Sequence, residues 1–433
     1  MNTFKKVMAS PAKKQKTHQP LTQDDYDNLF NACKDKNVDI LEALIPQLFQ
    51  RSDLNYNSTN QWNETLLMTL FEIPEFCNNN SAIIKQLIEK MSKDGINQKN
   101  KSGYEDTALM LAFRFSPEFC NNNSGIIEQL IKKMGEYGIN QTDDDNWTAL
   151  VYAFRYAPEF CNNNSWVIEQ LIKKMSENGV SQKNNDGWTA LMYAFRFVPE
   201  FCNQHSGVIK QLIEKMGEDG INQTDDENWT ALMFVFQHAP EFCNNNPEVI
   251  KQLIEKMSKD GVNQITNYGV TALMGAFRYI PKFCNNHSDI IKQLIEKMSK
   301  GGVNQKNRFG YTALMLAFRN VPEFCNNHSD IIKRLIIKMG VDGINQKSNY
   351  GWTALMLLFR YAPEFCNNNS GVIEQLIEKM SEDGVSQKST DNWTALMFVF
   401  QHAPDFCNNN SGVIKQLIEK MSKNGLNQQT RSG

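Results

Sequence analysis

The stretch Asp186-GWTALMYAFRFVPEFCNQHSGVIKQLIEKM-Gly217 decides the fold, because it recurs along the chain. Its cysteine is the marker. Cysteines stand at positions 33, 77, 120, 161, 202, 243, 284, 325, 366 and 407, and from Cys120 onward the interval is always 41 residues. An even interval is a period rather than a disulfide pattern, and a period of roughly 20–50 residues signals a repeat array. Aligned on the cysteines, the 433-residue chain contains nine copies of one unit, the first starting near Gln61 and the last ending near Gln428. Ahead of them, Leu29-FNACKDKNVDILEALI-Pro46 reads as a shortened, divergent copy, as terminal repeats often do because one face has no neighbour. The expected organisation is a disordered basic tail over 1–22, a capping repeat over 23–60 and nine tandem repeats over 61–433.

Each unit is read as two helical segments. Helix one runs from the Thr of T-A-L-M-x-A-F-R, with Thr148 or Thr189 as N-cap. Helix two is V-I-x-Q-L-I-x-K-M: Val167, Ile168, Leu171, Ile172 and Met175 share one face, and Lys173 and Lys174 fall on the other. Gly179 then ends the helix. The linking stretch Pro158-EFCNNN-Ser165 offers a thiol, amides, a hydroxyl and a carboxylate, but a feature present in every copy is scaffold before it is site. Pro158 ends helix one or starts a short turn, Phe160 and Cys161 fill space, and the asparagines and Ser165 lead into helix two as caps. Pro247 suits a first helical position, which makes Asn246 the cap in that copy.

The pattern G-x-T-A-L-x-x-A, then I-x-x-L-I, then G-[VI]-N-Q resembles the ankyrin repeat. Thr189, Ala190, Leu191 and Ala194 match its opening, and Leu171, Ile172, Gly179 and Val180 its later parts, with the resemblance covering about residues 25 to 433. Ala and Met stand where that family has Pro and His in T-P-L-H, and the period is 41 residues where the family has about 33. A period of this length also fits HEAT-like helical pairs, but the turn residues favour ankyrin. Either way the fold class is all-α, a helical-repeat solenoid. The resemblance implies a scaffold that binds a protein partner on the hairpin tips and helix one. Similar arrays in intracellular bacteria, amoebae and large viruses often act on host proteins.

A formal net charge of −3 gives no global field toward nucleic acid or an anionic membrane. No apolar run reaches the roughly 18 residues of a membrane span, and the N-terminus has no apolar core of a secretory signal. A cytoplasmic monomer is expected, located in the host cytosol if the chain is a secreted effector. There is no Gly-rich phosphate loop and no Ser/His/Asp or Cys/His set outside the repeats, so neither an enzyme nor a cofactor is expected. Cys-x-x-His occurs at Cys202/His205, Cys284/His287 and Cys325/His328, but the other copies have Asn there and zinc needs about four converging ligands, so no metal is expected.

What differs between copies is the tip between units. Thr142-Asp-Asp-Asp145 and Thr224-Asp-Asp-Glu227 are acidic, whereas Ile265-Thr-Asn-Tyr268, Lys306-Asn-Arg-Phe309 and Lys347-Ser-Asn-Tyr350 are neutral or basic with an aromatic. Beside the tips stand Trp147, Trp188, Trp229, Tyr311, Trp352 and Trp393. Either these rings pack between neighbouring hairpins, or they anchor a partner, a role Trp suits because it buries much area with few rotamers. A second row holds Arg114, Arg155, Arg196, Arg278, Arg319 and Arg360. Except at Arg278, which meets Lys282, each has a Glu four residues on, which suggests local ion pairs. The candidate partner-binding set is therefore Trp147, Trp188, Trp229, Tyr311, Trp352, Trp393, Arg278, Tyr268, Phe309 and Tyr350. The alternative is a nucleic-acid or phosphate ligand on the Arg/aromatic row and the lysine tail.

Overall fold

The computed structural model describes residues 20–430, so most of the expected disordered tail over 1–22 lies outside the described residues. The fold is an all-α solenoid. A helix pair, Gln23–Lys34 and Val38–Leu48, opens it, and the repeated unit follows from Leu66–Phe71 onward.

The unit holds more helix than the sequence suggests. Helix one is Ala190–Phe197 in the quoted copy, with Thr189 at the N-cap position. The expected capping bond is weak: Thr230 accepts from Met233 N–H at 3.4 Å, and Thr148 and Thr189 make none. At Val198 (φ −131°) the chain breaks, and Pro199 begins a six-residue connecting helix, Pro199–Gln204. Proline fits there because its missing N–H has no partner to lose in a first turn. Helix two is Ser206–Lys215.

Two local expectations are corrected. Asn246 does hold the N-cap position ahead of Pro247, but its side chain turns backward and its Nδ2 donates to Phe242 O at 3.2 Å, finishing the connecting helix instead of starting helix two. Gly179 does not end helix two, which stops at Lys174; it lies in a further one-turn helix, Glu177–Ser181, begun by Ser176. The glycine is needed by a neighbour. Asn140 of the preceding unit accepts from Ser176 N–H at 3.0 Å and Oγ–H at 3.1 Å, and a Cβ on Gly179 would collide with that Asn140 oxygen. The same Asn-to-Ser link joins Asn263 to Ser299 and Asn345 to Ser381, which explains the asparagine of G-[VI]-N-Q.

Helix one packs on helix one of the next unit, connecting helix on connecting helix, and helix two on helix two. Helix one is enclosed on every side: Ala190 to Phe195 are all buried. Its phenylalanine meets the connecting-helix phenylalanine of the next unit, as in Phe154–Phe201 at 5.7 Å and Phe195–Phe242 at 5.6 Å, and this contact threads the core. The connecting-helix cysteines lie in that layer as free thiols. The Cys161 and Cys284 Sγ–H groups donate to Ala153 O and Ala276 O at 3.4 and 3.5 Å, as second donors beside the N–H groups of Ala157 and Ile280. Burial raises the Cys77 thiol to about 12, so it stays protonated at neutral pH.

Candidate interaction surface

Each tip is a tight hairpin turn set by one residue. Asn184 Oδ1 accepts from Trp188 N–H at 2.7 Å, and Asp143 and Asp225 do the same for Trp147 and Trp229. The residue before the aromatic must take left-handed backbone, which is why it alternates between Gly187 (φ 82°) and Asn146 or Asn228 (φ 62°). Successive tips are chained by single backbone bonds, such as Asp226 N–H to Asp186 O at 3.0 Å and Arg308 N–H to Tyr268 O at 2.8 Å. The tips therefore form one continuous edge.

This geometry divides the acidic tips. Asp143 and Asp225 are buried turn residues, so their carboxylates are scaffold. Asp144, Asp145, Asp226 and Glu227 are exposed. Farther along, Tyr268 and Tyr350 are exposed, and Arg308 lies over Tyr268 and Phe309 at 5.3 and 4.7 Å.

Trp147, Trp188, Trp229, Trp352 and Trp393 are half-buried against the core, and Tyr311 is 9% exposed. Three tryptophans face a ring of the next unit: Trp147–Tyr193 at 5.1 Å, Trp188–Phe234 at 4.6 Å and Trp352–Phe398 at 4.7 Å. Trp229 and Trp393 meet rings of their own units, Phe234 and Phe398, at 5.8 and 5.0 Å. The row thus packs between hairpins while part of each tryptophan stays at the edge.

Among the described residues the expected Arg–Glu pairs do not form. The guanidinium groups lie on rings instead: Arg155 over Phe197 at 4.4 Å, Arg360 over Trp352 at 5.2 Å, Arg319 over Tyr311 at 5.4 Å and Arg278 over Tyr279 at 5.3 Å. Arg114 also contacts Asp106, at 3.7 Å. The spacing misled because the glutamate lies beyond the chain break at Val198 and its equivalents, so four residues is not one helical turn. The start of helix one, buried throughout, adds nothing to the surface. Its last turn does.

Two of the three histidines of Cys-x-x-His, His205 and His328, have a structural partner in the preceding unit. His205 and His328 bond through Nε2 to the carbonyls of Asn162 and Asn285 in the preceding unit, at 2.9 and 3.0 Å, and so replace the Asn164 amide, which donates to Asn121 O. Sequence reading missed the lysine before each helix-two methionine. Lys215 Nζ donates to Ile172 O and Lys173 O at 2.9 and 2.6 Å, and Lys256 and Lys297 repeat the contact on earlier units. These lysines satisfy open carbonyls at the end of the preceding helix two. Recurrence of the lysine in every copy was the available signal.

The family model described as ankyrin repeats (3 copies) matches residues 118–198 and 282–366. Ankyrin repeats are thus detected in those two segments, and repeats of this kind generally mediate protein–protein interaction. No curated protein matches the chain. Among solved structures it is similar to a chain of the complex of predatory endopeptidase Bd0816 from Bdellovibrio bacteriovorus with immunity protein Bd3460, at 22% identity, covering 55% of this chain and 99% of that chain, with a TM-score of 0.33. It is similar to the ankyrin repeat protein EF0377 at 18% identity, covering 52% of this chain and 96% of that one, with a TM-score of 0.33. For the ankyrin repeat domain of Bcl-3 the figures are 17% identity, 68% and 96% coverage, and a TM-score of 0.29. Among the described residues no helix is long and apolar enough to cross a membrane.

Proposed function

We propose that the chain is a cytoplasmic, monomeric scaffold without catalytic activity that binds a protein partner along the tip edge and the last turn of helix one. One observation carries this reading: the tips vary from unit to unit in charge and ring content, whereas helix two repeats almost unchanged. The variable edge runs from an acidic zone at Asp144, Asp145, Asp226 and Glu227 to an aromatic and basic zone at Tyr268, Arg308, Phe309 and Tyr350. Half-buried tryptophans beside such an edge are preordered, so little rotamer freedom is lost when a partner covers them. If the chain comes from an intracellular microbe or a virus, a host protein is the expected partner. The nucleic-acid alternative is less favoured because the arginines already lie against the chain's own rings.

The test is affinity capture from lysate followed by an alanine scan of both faces against the protein recovered. Truncating Trp188 or Trp352 should each cost about 2 kcal/mol or more in affinity, the size of a hot spot. Truncating exposed Lys173, on helix two, should cost little. Losses confined to helix two, with the tryptophan row silent, would sink the proposal.

A further inference from the structure

The row of rings is interrupted at Trp229. In three units the arginine eight residues after the tip ring lies over it: Arg196 over Trp188 at 5.8 Å, Arg319 over Tyr311 at 5.4 Å and Arg360 over Trp352 at 5.2 Å. Eight residues after Trp229 stands Gln237. The far side is also open. Trp147, Trp188 and Trp352 each face a ring 46 residues on, but the residue 46 after Trp229 is Gly275. A Cβ placed on Gly275 would touch only Phe236, at 3.9 Å. Among the described residues Trp229 therefore lacks both the built-in cation and a covering ring from the next unit.

Beside it opens a cavity of about 430 Å³ whose aromatic wall includes Trp188, Trp229 and Phe234. Four carboxylates line it, those of Asp186, Asp225, Asp226 and Glu227, against one guanidinium, Arg196. That guanidinium is engaged, with Nη1 2.8 Å from His238 Nε2. Asp225 is held by Trp229 N–H and Glu227 N–H. Tyr268 O–H reaches Glu227 at 3.5 Å. Asp186, Asp226 and Glu227 face solvent, and among the described residues none is in an ion pair. An aromatic face with surplus negative charge matches a delocalised cation, which stacks on rings and is weakly hydrated.

We infer that this cavity is the socket for a basic side chain, an arginine guanidinium, of the protein partner, seated against Trp229 and paired with Asp226 and Glu227. The inference rests on the protein-binding reading above and specifies the chemistry at one point of that surface. The incoming guanidinium takes the place that Arg196, Arg319 and Arg360 fill in their own units. Two glutamine positions follow tip tryptophans in this way, Gln237 and Gln401, but only the first has a second acidic tip residue beside its aspartate.

The test uses the full chain with an acetylated, amidated tetra-arginine peptide and its tetra-citrulline counterpart, which keeps the shape and removes the charge. Binding is read by calorimetry and tryptophan fluorescence at low salt. The arginine peptide should bind, and the citrulline peptide should bind about tenfold more weakly or worse. The Asp226→Asn/Glu227→Gln double variant should weaken the arginine peptide to a similar degree. Gln237→Arg should do so too, because it supplies the missing internal cation. Helicity by circular dichroism checks that each variant is folded. No binding of the arginine peptide, equal binding of citrulline, or variants that bind as tightly as the parent would each overturn the socket. A partner protein that needs Trp352 but ignores both variants would remove the socket and leave the binding edge standing. Peptide results as expected, with every partner contact on helix two, would do the reverse.

Discussion

Tyr152 has one hydroxyl proton and two carboxyl neighbours: its oxygen is 2.6 Å from Asp106 Oδ1 and 2.7 Å from Asp143 Oδ2. All three side chains are buried. The tyrosine can donate to only one of them, so the second short contact needs a proton on a carboxyl group. Burial raises both Asp106 and Asp143 above the ordinary value of 3.8. Arg114 and Lys99 oppose the rise at Asp106, while Asp144 adds to it there and Asp145 adds to it at Asp143. A carboxyl whose folded pKa is raised holds its proton longer in the folded chain. Its contribution is complete below the unfolded value and is lost as pH rises through the folded one. Asp143→Asn should relieve this. The amide oxygen can still accept from Trp147 N–H, and its Nδ2 can donate to the tyrosine as Asn184 does to Tyr193 at 3.3 Å. Urea unfolding should show the variant about 1 kcal/mol more stable at neutral pH, with a flatter slope over the range from the ordinary carboxyl value of 3.8 up to neutral pH. A variant less stable than the parent across that range would refute the shared-proton arrangement. Nothing in the sequence pointed to this cluster, because Asp106 and Asp143 belong to different tips and only the stacking brings them to one hydroxyl.

At the scale of elements, the two long helices were legible because each spans enough residues to show a face: Val167, Ile168, Leu171 and Ile172 are all buried as their spacing required. The six-residue connecting helix was not, since fewer than two turns show no periodicity and its proline reads equally well as a stop. The surface was half legible. The exposed places of Tyr268 and Tyr350 follow from their tips, whereas the arginine–ring contacts depend on which ring the next unit brings over. The lysine before the helix-two methionine was assigned to a solvated face, yet its ammonium bridges units. Lys215→Met should lower stability by about 1–2 kcal/mol in urea unfolding, since it leaves Ile172 O and Lys173 O without that donor. Lys173→Met, which removes an exposed pair with Glu169 at 2.6 Å, should change it by about 0.5 kcal/mol or less. Equal effects would mean that the inter-unit contact adds nothing.

Over the whole molecule, each unit touches only its neighbours, through the three helix layers, the Asn-to-Ser links and the chain of tip bonds. Stability should then be close to a sum of unit and interface terms. Cutting the chain after Gln387 keeps Val385, which is fully buried, and removes one helix-one, connecting-helix and helix-two set. The cut uncovers the Trp352 face that Phe398 covers at 4.7 Å, along with the outer sides of Ala354–Tyr361 and Ser370–Lys379. The shortened chain should stay folded, with helicity per residue nearly unchanged and a lower urea midpoint. Trp352 should become more accessible to acrylamide quenching, whereas Trp147 and Trp188, several interfaces away, should not. Loss of all helical signal on that cut would mean that the array folds as one indivisible domain, and the additive account would fail. The tip edge follows the same logic. Because its units are coupled only to neighbours, the Trp229 socket and the Tyr268–Tyr350 zone can be altered one at a time without unfolding the rest, which makes the alanine scan and the peptide titration interpretable residue by residue.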